Sequence, residues 1–202
     1  MKGCRPLSDN EIKQIRQFLL SYKSRHRKRN RALFELGLST GMRISELLSL
    51  DKKDVSRIIG GKIEAFEEVY LKKKNTKKKL EGRCCSTNKI CREAIRKYLQ
   101  QLLNKGQYVA EDPLFISQKG GRLQTRQAWN ILHEIYDGCG LTGKLGTHSM
   151  RKTLARVTYE ITDKDIIATQ NSLGHRNLSS TASYLSFNKK EVFDKIMRKL
   201  ET

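Results

Sequence analysis

Four side chains with reactive or charge-binding chemistry fall between Thr147 and Leu185: His148, Arg151, His175 and Tyr184. Positions 148 and 151 are three apart, so on a helix they share one face. Met150, Leu154 and Val157 recur at three to four residues and supply that helix with an apolar face. Well upstream, Arg43 follows the pair Thr40-Gly41. These groups suit attack on a phosphodiester, whose non-bridging oxygens gather negative charge in the transition state. No metal-ligand motif or cofactor motif is present, so cations and donors must neutralise that charge. A guanidinium is planar, permanently charged and binds two such oxygens at once. Stabilising developing charge is usually the largest catalytic contribution. An imidazole donates or shuttles a proton near neutral pH. A phenol, with a reference pKa of about 10, is a weak nucleophile that neighbouring guanidinium groups activate. A lysine can protonate the departing 5′ oxygen. A phosphotyrosine conserves the bond energy for rejoining, so the chemistry needs no ATP. A single His or Tyr is more often structural; the combination is what carries the reading.

The elements that must position these groups follow from periodicity and capping. Ser8 and Glu11 form a capping-box signature ahead of a helix over 7–22 with Ile12, Ile15 and Leu19 in line. Lys23 to Arg31 holds six Lys or Arg in nine residues and reads as a linker or helix start facing solvent or a phosphate backbone. A helix over 31–40 ends at Thr40-Gly41, and Arg43 opens another through Leu48. A cation in a first turn opposes the helix dipole, which argues for function; the plain alternative is a pair with Glu46. Residues 63–71 read as a strand ending Val69-Tyr70-Leu71, and Leu80 resumes an apolar segment after six lysines between Lys72 and Lys79. That pattern predicts a β-hairpin with a cationic, Asn75-containing tip. Further helices are expected over 87–104 and 125–137, with Pro113 to Ile116 extended, Trp129 at the core or rim, and a glycine-rich connection over 138–146. Thr162 is the expected N-cap of a helix with Ile166 and Ile167 as its apolar stripe and Gly174 as its stop. Tyr184 then rides on a short helix, and Asn188 caps an amphipathic helix carrying Val192, Ile196 and Leu200. The fold class is α+β, mainly α-helical with a small antiparallel β-hairpin or sheet.

Among the 202 residues, Lys and Arg number 41 against 21 Asp and Glu, a net charge of +20. Such an excess calls for a polyanionic partner, nucleic acid first and an acidic membrane surface second. No apolar run approaches the ~18 residues of a membrane span, and no signal-peptide core opens the chain. The cations expected on DNA are Arg25, Arg27, Lys28 and Arg29 in the first cluster. Lys72, Lys73, Lys77, Lys78 and Lys79 join them from the hairpin, with Lys152 and Arg176 beside the reactive groups. The five cysteines, Cys4, Cys84, Cys85, Cys91 and Cys139, fit no zinc spacing and read as reduced cytosolic thiols used in packing. Neither Cys91 nor His133 is expected to bind a metal.

Three segments together resemble the catalytic domain of the tyrosine recombinase (phage integrase) family. Thr40-Gly41-Met42-Arg43-Ile44-Ser45-Glu46-Leu47 resembles its first-arginine box, and His148-Ser149-Met150-Arg151 its second. Leu173-Gly174-His175, with Thr181 and then Tyr184, resembles its third. The resemblance implies that Arg43, Arg151 and His175 hold the scissile phosphate, that Tyr184 attacks it and that His148 assists proton transfer. The family's hairpin lysine, general acid for the 5′ oxygen, maps best to Lys74, with Lys73 and Lys77 as alternatives. That register takes Val69 to Leu71 as one strand and Lys77 to Leu80 as its return. Departures are Lys152, where histidine is common, and Ser172, where an apolar residue is usual.

The resemblance further implies metal- and ATP-independent recombination or integration of DNA, as in mobile elements, by a cytoplasmic, nucleoid-associated enzyme. Its partners would be double-stranded DNA and further copies of itself, a homotetramer on two paired sites, monomeric without DNA. Residues 1–187 would form the catalytic domain, and 188–202 a helix that docks on a neighbouring protomer. The family's N-terminal core-binding domain would then be missing, as in an excised domain or in a short fimbrial-switch type recombinase. The alternatives are type IB topoisomerase-like relaxation and a non-catalytic basic DNA-binding module.

Overall fold

A computed structural model describes residues 3–73, 82–185 and 197. The first helix, α1 (Asp9–Ser21), starts as its capping signature predicts. Ser8 Oγ accepts the Glu11 N–H at 3.2 Å and Glu11 Oε2 accepts the Ser8 N–H at 2.7 Å. The Arg5 guanidinium bonded to Glu11 pulls that carboxyl down to about 2.

The chain is arranged around α2 (Arg27–Thr40). This helix is apolar on most of its circumference and is buried accordingly. Ala32, Leu33 and Leu36 face one hydrophobic cluster, shared with α3 (Ile44–Leu48), the strands, and α4 (Lys89–Asn104). Phe34 and Leu38 face a second cluster, shared with α1, α5 (Thr125–Gly138) and Met150 of α6 (Thr147–Ile161). The buried Glu35 carboxylate between them accepts both arms of the Arg16 guanidinium at 2.9 and 3.0 Å. The extended segment of Leu114 and Phe115 is buried as expected. Trp129 lies at the rim, 38% exposed, stacked on His133 and under Arg126. All five thiols are free, and burial pushes Cys91 up to about 12, leaving it a packing residue.

The expected strand over 63–71 is two strands in two sheets. β1 (Ser56–Ile59) pairs antiparallel with β2 (Lys62–Ala65) across Gly60-Gly61, both at positive φ, a turn that the flanking strand twist favours. β3 (Glu68–Leu71) pairs antiparallel with β4 (Arg83–Ser86), so the return strand is not Lys77–Leu80. Val69 stands opposite Cys85 and both are buried. A lysine run has no apolar face to offer in that place. The hairpin tip, with Lys74, Lys77, Lys78 and Lys79, lies outside the described residues.

Two expectations about the C-terminal helices are also corrected. Thr162 closes α6 instead of opening the next helix. Asp163 and Lys164 turn the chain at positive φ, and Asp165 caps α7 (Ile166–Leu173), its Oδ1 accepting from Ile167 and Ala168 at 2.7 and 3.0 Å. The buried face of α7 is Thr169 and Leu173, whereas Ile167 is 61% exposed. Counting back from Leu173 at helical spacing leads to 169 and 166 and turns 167 outward. Tyr184 lies on α8 (Leu178–Leu185) as expected. Of the expected helix over Val192, Ile196 and Leu200, only Met197 is described, in helical conformation; the remainder lies outside the described residues. Among the described residues no helix is long and apolar enough to cross a membrane.

Gly41 ends α2 in the left-handed region, φ 57°, and a Cβ there would come within 2.7 Å of Leu154 Cδ2. Gly41→Ala is therefore expected to cost about 1–2 kcal/mol from backbone conformation alone. In a thermal melt this lowers Tm by roughly 2–8 °C, with the same melt on Gly60→Ala, where nothing approaches within 4 Å, separating contact from conformation.

Candidate active site

The site forms where α2 and α7 end against α6. The left-handed turn at Gly41 makes Arg43 the N-cap of α3. Glu46, one turn on, accepts the Arg43 N–H at 2.9 Å and Arg43 Nη1 at 2.8 Å. The expected alternative, a pair with Glu46, thus exists, yet the arginine side chain stays 27% exposed over a carboxylate that is 1% exposed. A guanidinium has five donors, so this pair leaves others for a ligand.

Arg151 is 1% exposed and, among the described residues, makes no hydrogen bond to a carboxylate. Its Nη1 donates to the Gly41 carbonyl and its Nη2 to the Leu173 carbonyl at 2.8 Å. These oxygens sit at the C-terminal ends of α2 and α7, where carbonyls lack intrahelical partners and the helix dipole is negative. Two helix ends therefore take the place of a counter-ion. Arg151 Nε is buried without a partner among the described residues. Burial, then Arg43 and Arg83, pull the guanidinium down to about 10, still cationic at neutral pH.

Gly174 ends α7 at φ 62° and delivers His175 into the same pocket. The imidazole is 8% exposed, with Nδ1 at 3.0 Å from the Oγ1 of buried Thr181. Burial first, then Arg151, Arg43 and Arg83, hold it down at about 4, so it is neutral at neutral pH. The Tyr184 ring lies edge-on to it, centroids 5.0 Å apart, and the Lys152 ammonium lies 5.5 Å from the Tyr184 ring centre. His148 is exposed in the first turn of α6, its Nδ1 3.4 Å from Thr147 Oγ1.

The cations expected on DNA divide. Arg29 is buried, its guanidinium bonded to Asn30 Oδ1 and the Ile116 carbonyl, so it ties α2 to the extended segment and is not a surface contact. Alternation of charge in 23–31 did not reveal that this position faces inward. Arg25 and Lys28 are exposed, while Arg27 donates to the Leu20 carbonyl. All lie at the end of α2 away from Gly41, roughly 20 Å along the helix. Lys152 is buried below Tyr184 and is part of the pocket, not of an outer surface. Lys72 pairs with Asp54 at 2.7 Å; Lys73 and Arg176 are exposed. Lys74, Lys77, Lys78 and Lys79 lie outside the described residues.

One member of the pocket went unread in the sequence. Arg83, at the start of β4, donates to the Leu173 carbonyl at 2.6 Å and to Glu46 Oε2 at 3.2 Å. The only local signal was its place one strand after the lysine run, and the return strand had been expected earlier.

The fold is a mainly helical domain whose pocket gathers cations beside an imidazole and a phenol. Residues 5–191 match the phage integrase family, and the chain belongs to it. It is 33% identical over 176 residues to tyrosine recombinase XerC of Thermodesulfovibrio yellowstonii, covering 83% of this chain and 54% of that protein. To tyrosine recombinase XerD of Corynebacterium glutamicum it is 31% identical over 159 residues, 77% of this chain and 47% of that one. The chain thus spans about half the length of the curated relatives it matches. Among solved structures, XerH recombinase bound to difH substrate in a pre-cleavage complex superposes with a TM-score of 0.72 at 25% identity, over 97% of this chain and 54% of that one. XerA recombinase superposes with a TM-score of 0.72 at 22% identity, over 98% of this chain and 64% of that one, a likeness of fold.

Because folded His175 titrates at about 4 against an ordinary value of about 6.5, the unfolded chain binds more protons between those values. Stability from this group is fully present above pH ~6.5 and is lost as the pH falls toward about 4. Tm should therefore fall more steeply across that window in the wild type than in His175→Gln, measured by melts in matched buffers.

Proposed function

We propose that this domain cuts and rejoins double-stranded DNA at specific sites through a 3′-phosphotyrosine at Tyr184. The supporting observation is the gathering of Arg43, Arg151 and His175 beside Tyr184 around one carboxylate, Glu46. Family membership and the tyrosine recombinase relatives support the same reading.

In this reading Tyr184 Oη attacks phosphorus, the Oη–P bond forms and the P–O5′ bond breaks. The phenolic proton passes to His148, and Lys74 gives a proton to the departing 5′ oxygen. Arg43 and Arg151 bind the non-bridging oxygens. With the Thr181 hydroxyl donating to Nδ1, neutral His175 keeps its proton on Nε2 and donates it to a phosphate oxygen. Attack by a 5′ hydroxyl on the phosphotyrosine reverses these steps and rejoins the strand.

The DNA duplex tracks the exposed cations Lys73 and Arg176 and the lysines of 74–81. Copies of the chain assemble on paired sites as a tetramer, with 188–202 docking on a neighbour. XerH has been crystallised on its difH substrate and lambda integrase as a dimer on a core site, which fits such an assembly.

The test uses duplexes of randomised core sequence, each nicked so that a short 5′-hydroxyl fragment diffuses away and traps the adduct. Wild type should yield a covalent protein–DNA band, Tyr184→Phe none, and Arg43→Ala or Arg151→Ala at least ~10²-fold slower adduct formation. An adduct that survives Tyr184→Phe overturns the reading. DNA affinity measured by anisotropy should also fall steeply with salt, since each neutralised phosphate releases counterions; a flat response argues against contact along the backbone.

A further inference from the structure

Arg83 stands opposite Leu71 in the β3–β4 ladder, but its side chain leaves the sheet and enters the pocket. It is 17% exposed, and both of its acceptors are shared with arginines already placed there. Glu46 holds Arg43 through Oε1 and Arg83 through Oε2. The Leu173 carbonyl accepts from Arg83 at 2.6 Å and from Arg151 at 2.8 Å. A continuous chain of bonds thus runs from Arg43 through Glu46, Arg83, Leu173 and Arg151 to Gly41. The aliphatic stem is in the same frame: a Cβ on Gly174 would lie 2.8 Å from Arg83 Cδ, so Arg83 packs on the turn that delivers His175.

We propose that Arg83 is a positioning residue of the phosphate pocket, bridging the first-arginine segment to the end of α7 and thereby setting Arg43, Arg151 and His175 relative to one another. This rests on the cleavage chemistry proposed above. Two hydrogen bonds and one packing contact join at this side chain, and the two acceptors come from different parts of the chain. A planar fork spans two such acceptors, whereas an ammonium is a point charge. Without Arg83, Glu46 has only Arg43 to satisfy it, and the stronger clamp draws Arg43 away from a ligand. The Leu173 carbonyl then keeps Arg151 alone, and the turn at Gly174 loses the stem it rests on.

Arg83 also adds charge. His175 is held down first by burial and then by Arg151, Arg43 and Arg83, opposed by Glu46, with the Tyr184 ring alongside. Removing one cation from this set should let the imidazole titrate higher.

The experiment compares wild type, Arg83→Ala and Arg83→Lys in single-turnover cleavage at saturating DNA, in DNA affinity, and in the titration of His175 by histidine NMR assigned with His175→Gln. Arg83→Ala should slow adduct formation by roughly 10²-fold, the scale of a small misplacement of catalytic groups. DNA affinity should stay within about twofold, since other cations meet the backbone. The His175 midpoint should rise in Arg83→Ala. Arg83→Lys keeps the charge but not the bridge, so it should leave the midpoint close to wild type while restoring only part of the rate. Equal rates in wild type and Arg83→Ala overturn the proposal, as does full rescue by lysine. If Arg83→Ala does not fold, Arg83→Lys decides by the same split between rate and titration. If wild type forms no adduct, the functional reading fails separately, and unchanged side-chain NMR shifts of Arg43, Arg151 and His175 in Arg83→Lys, where the charge is kept and the bridge is not, then overturn the positioning role on their own.

Discussion

A guanidinium that is 1% exposed and, among the described residues, hydrogen-bonded to no carboxylate sets the terms for the rest of this structure. Taking a charge out of water costs several kcal/mol unless partners replace its hydration. Arg151 finds them in two carbonyls, at the ends of α2 and α7, whose lone pairs the helices cannot use. The arrangement satisfies the cation without neutralising it. Arg43 and Arg83 share one carboxylate, and Arg151 shares none. Positive charge therefore remains at the pocket before any ligand arrives, which is the condition for stabilising charge in a transition state without reorganising the site.

Holding Arg151 there requires α2 and α6 to approach closely. Gly37 and Gly41 make room: a Cβ on either would meet Met150 or Leu154 of α6 at 2.7 Å. The two hydrophobic clusters on opposite sides of α2 keep that helix from shifting. Packing of this kind is close to solid and transmits displacement. The position of Arg151 is thus set by apolar contacts on the far side of the helix whose end it touches.

Burial first, and then the same positive surroundings, keep His175 neutral, and Thr181 orients it. An imidazolium there would add a further like charge beside Arg151 and Arg43. In the proposed chemistry a neutral donor would give a phosphate oxygen a hydrogen bond without that repulsion. Lys152, under the Tyr184 ring, brings another cation to the phenol from within the domain.

Local chemistry was legible in the chain. Ser8 with Glu11 and the glycines at 41 and 174 mark helix ends because capping and positive φ are properties of a few neighbouring residues. The types and order of Arg43, Arg151, His175 and Tyr184 pointed to one family for the same reason, since chemical capability belongs to the side chain. What the residues could not state was which distant partner each would meet. Arg83 looks like one more cation after a lysine run, and Arg29 like part of a basic surface, until β4 and the 113–116 segment bring them acceptors from remote parts of the chain. Lys152 and Ile167 exchange the inside and outside expected of them because burial depends on which helix packs against which face. Sequence determined the reactive groups and the turns between elements; only the packed domain decided which charges are shared, buried or left for a ligand, because those choices rest on contacts between segments far apart in the chain.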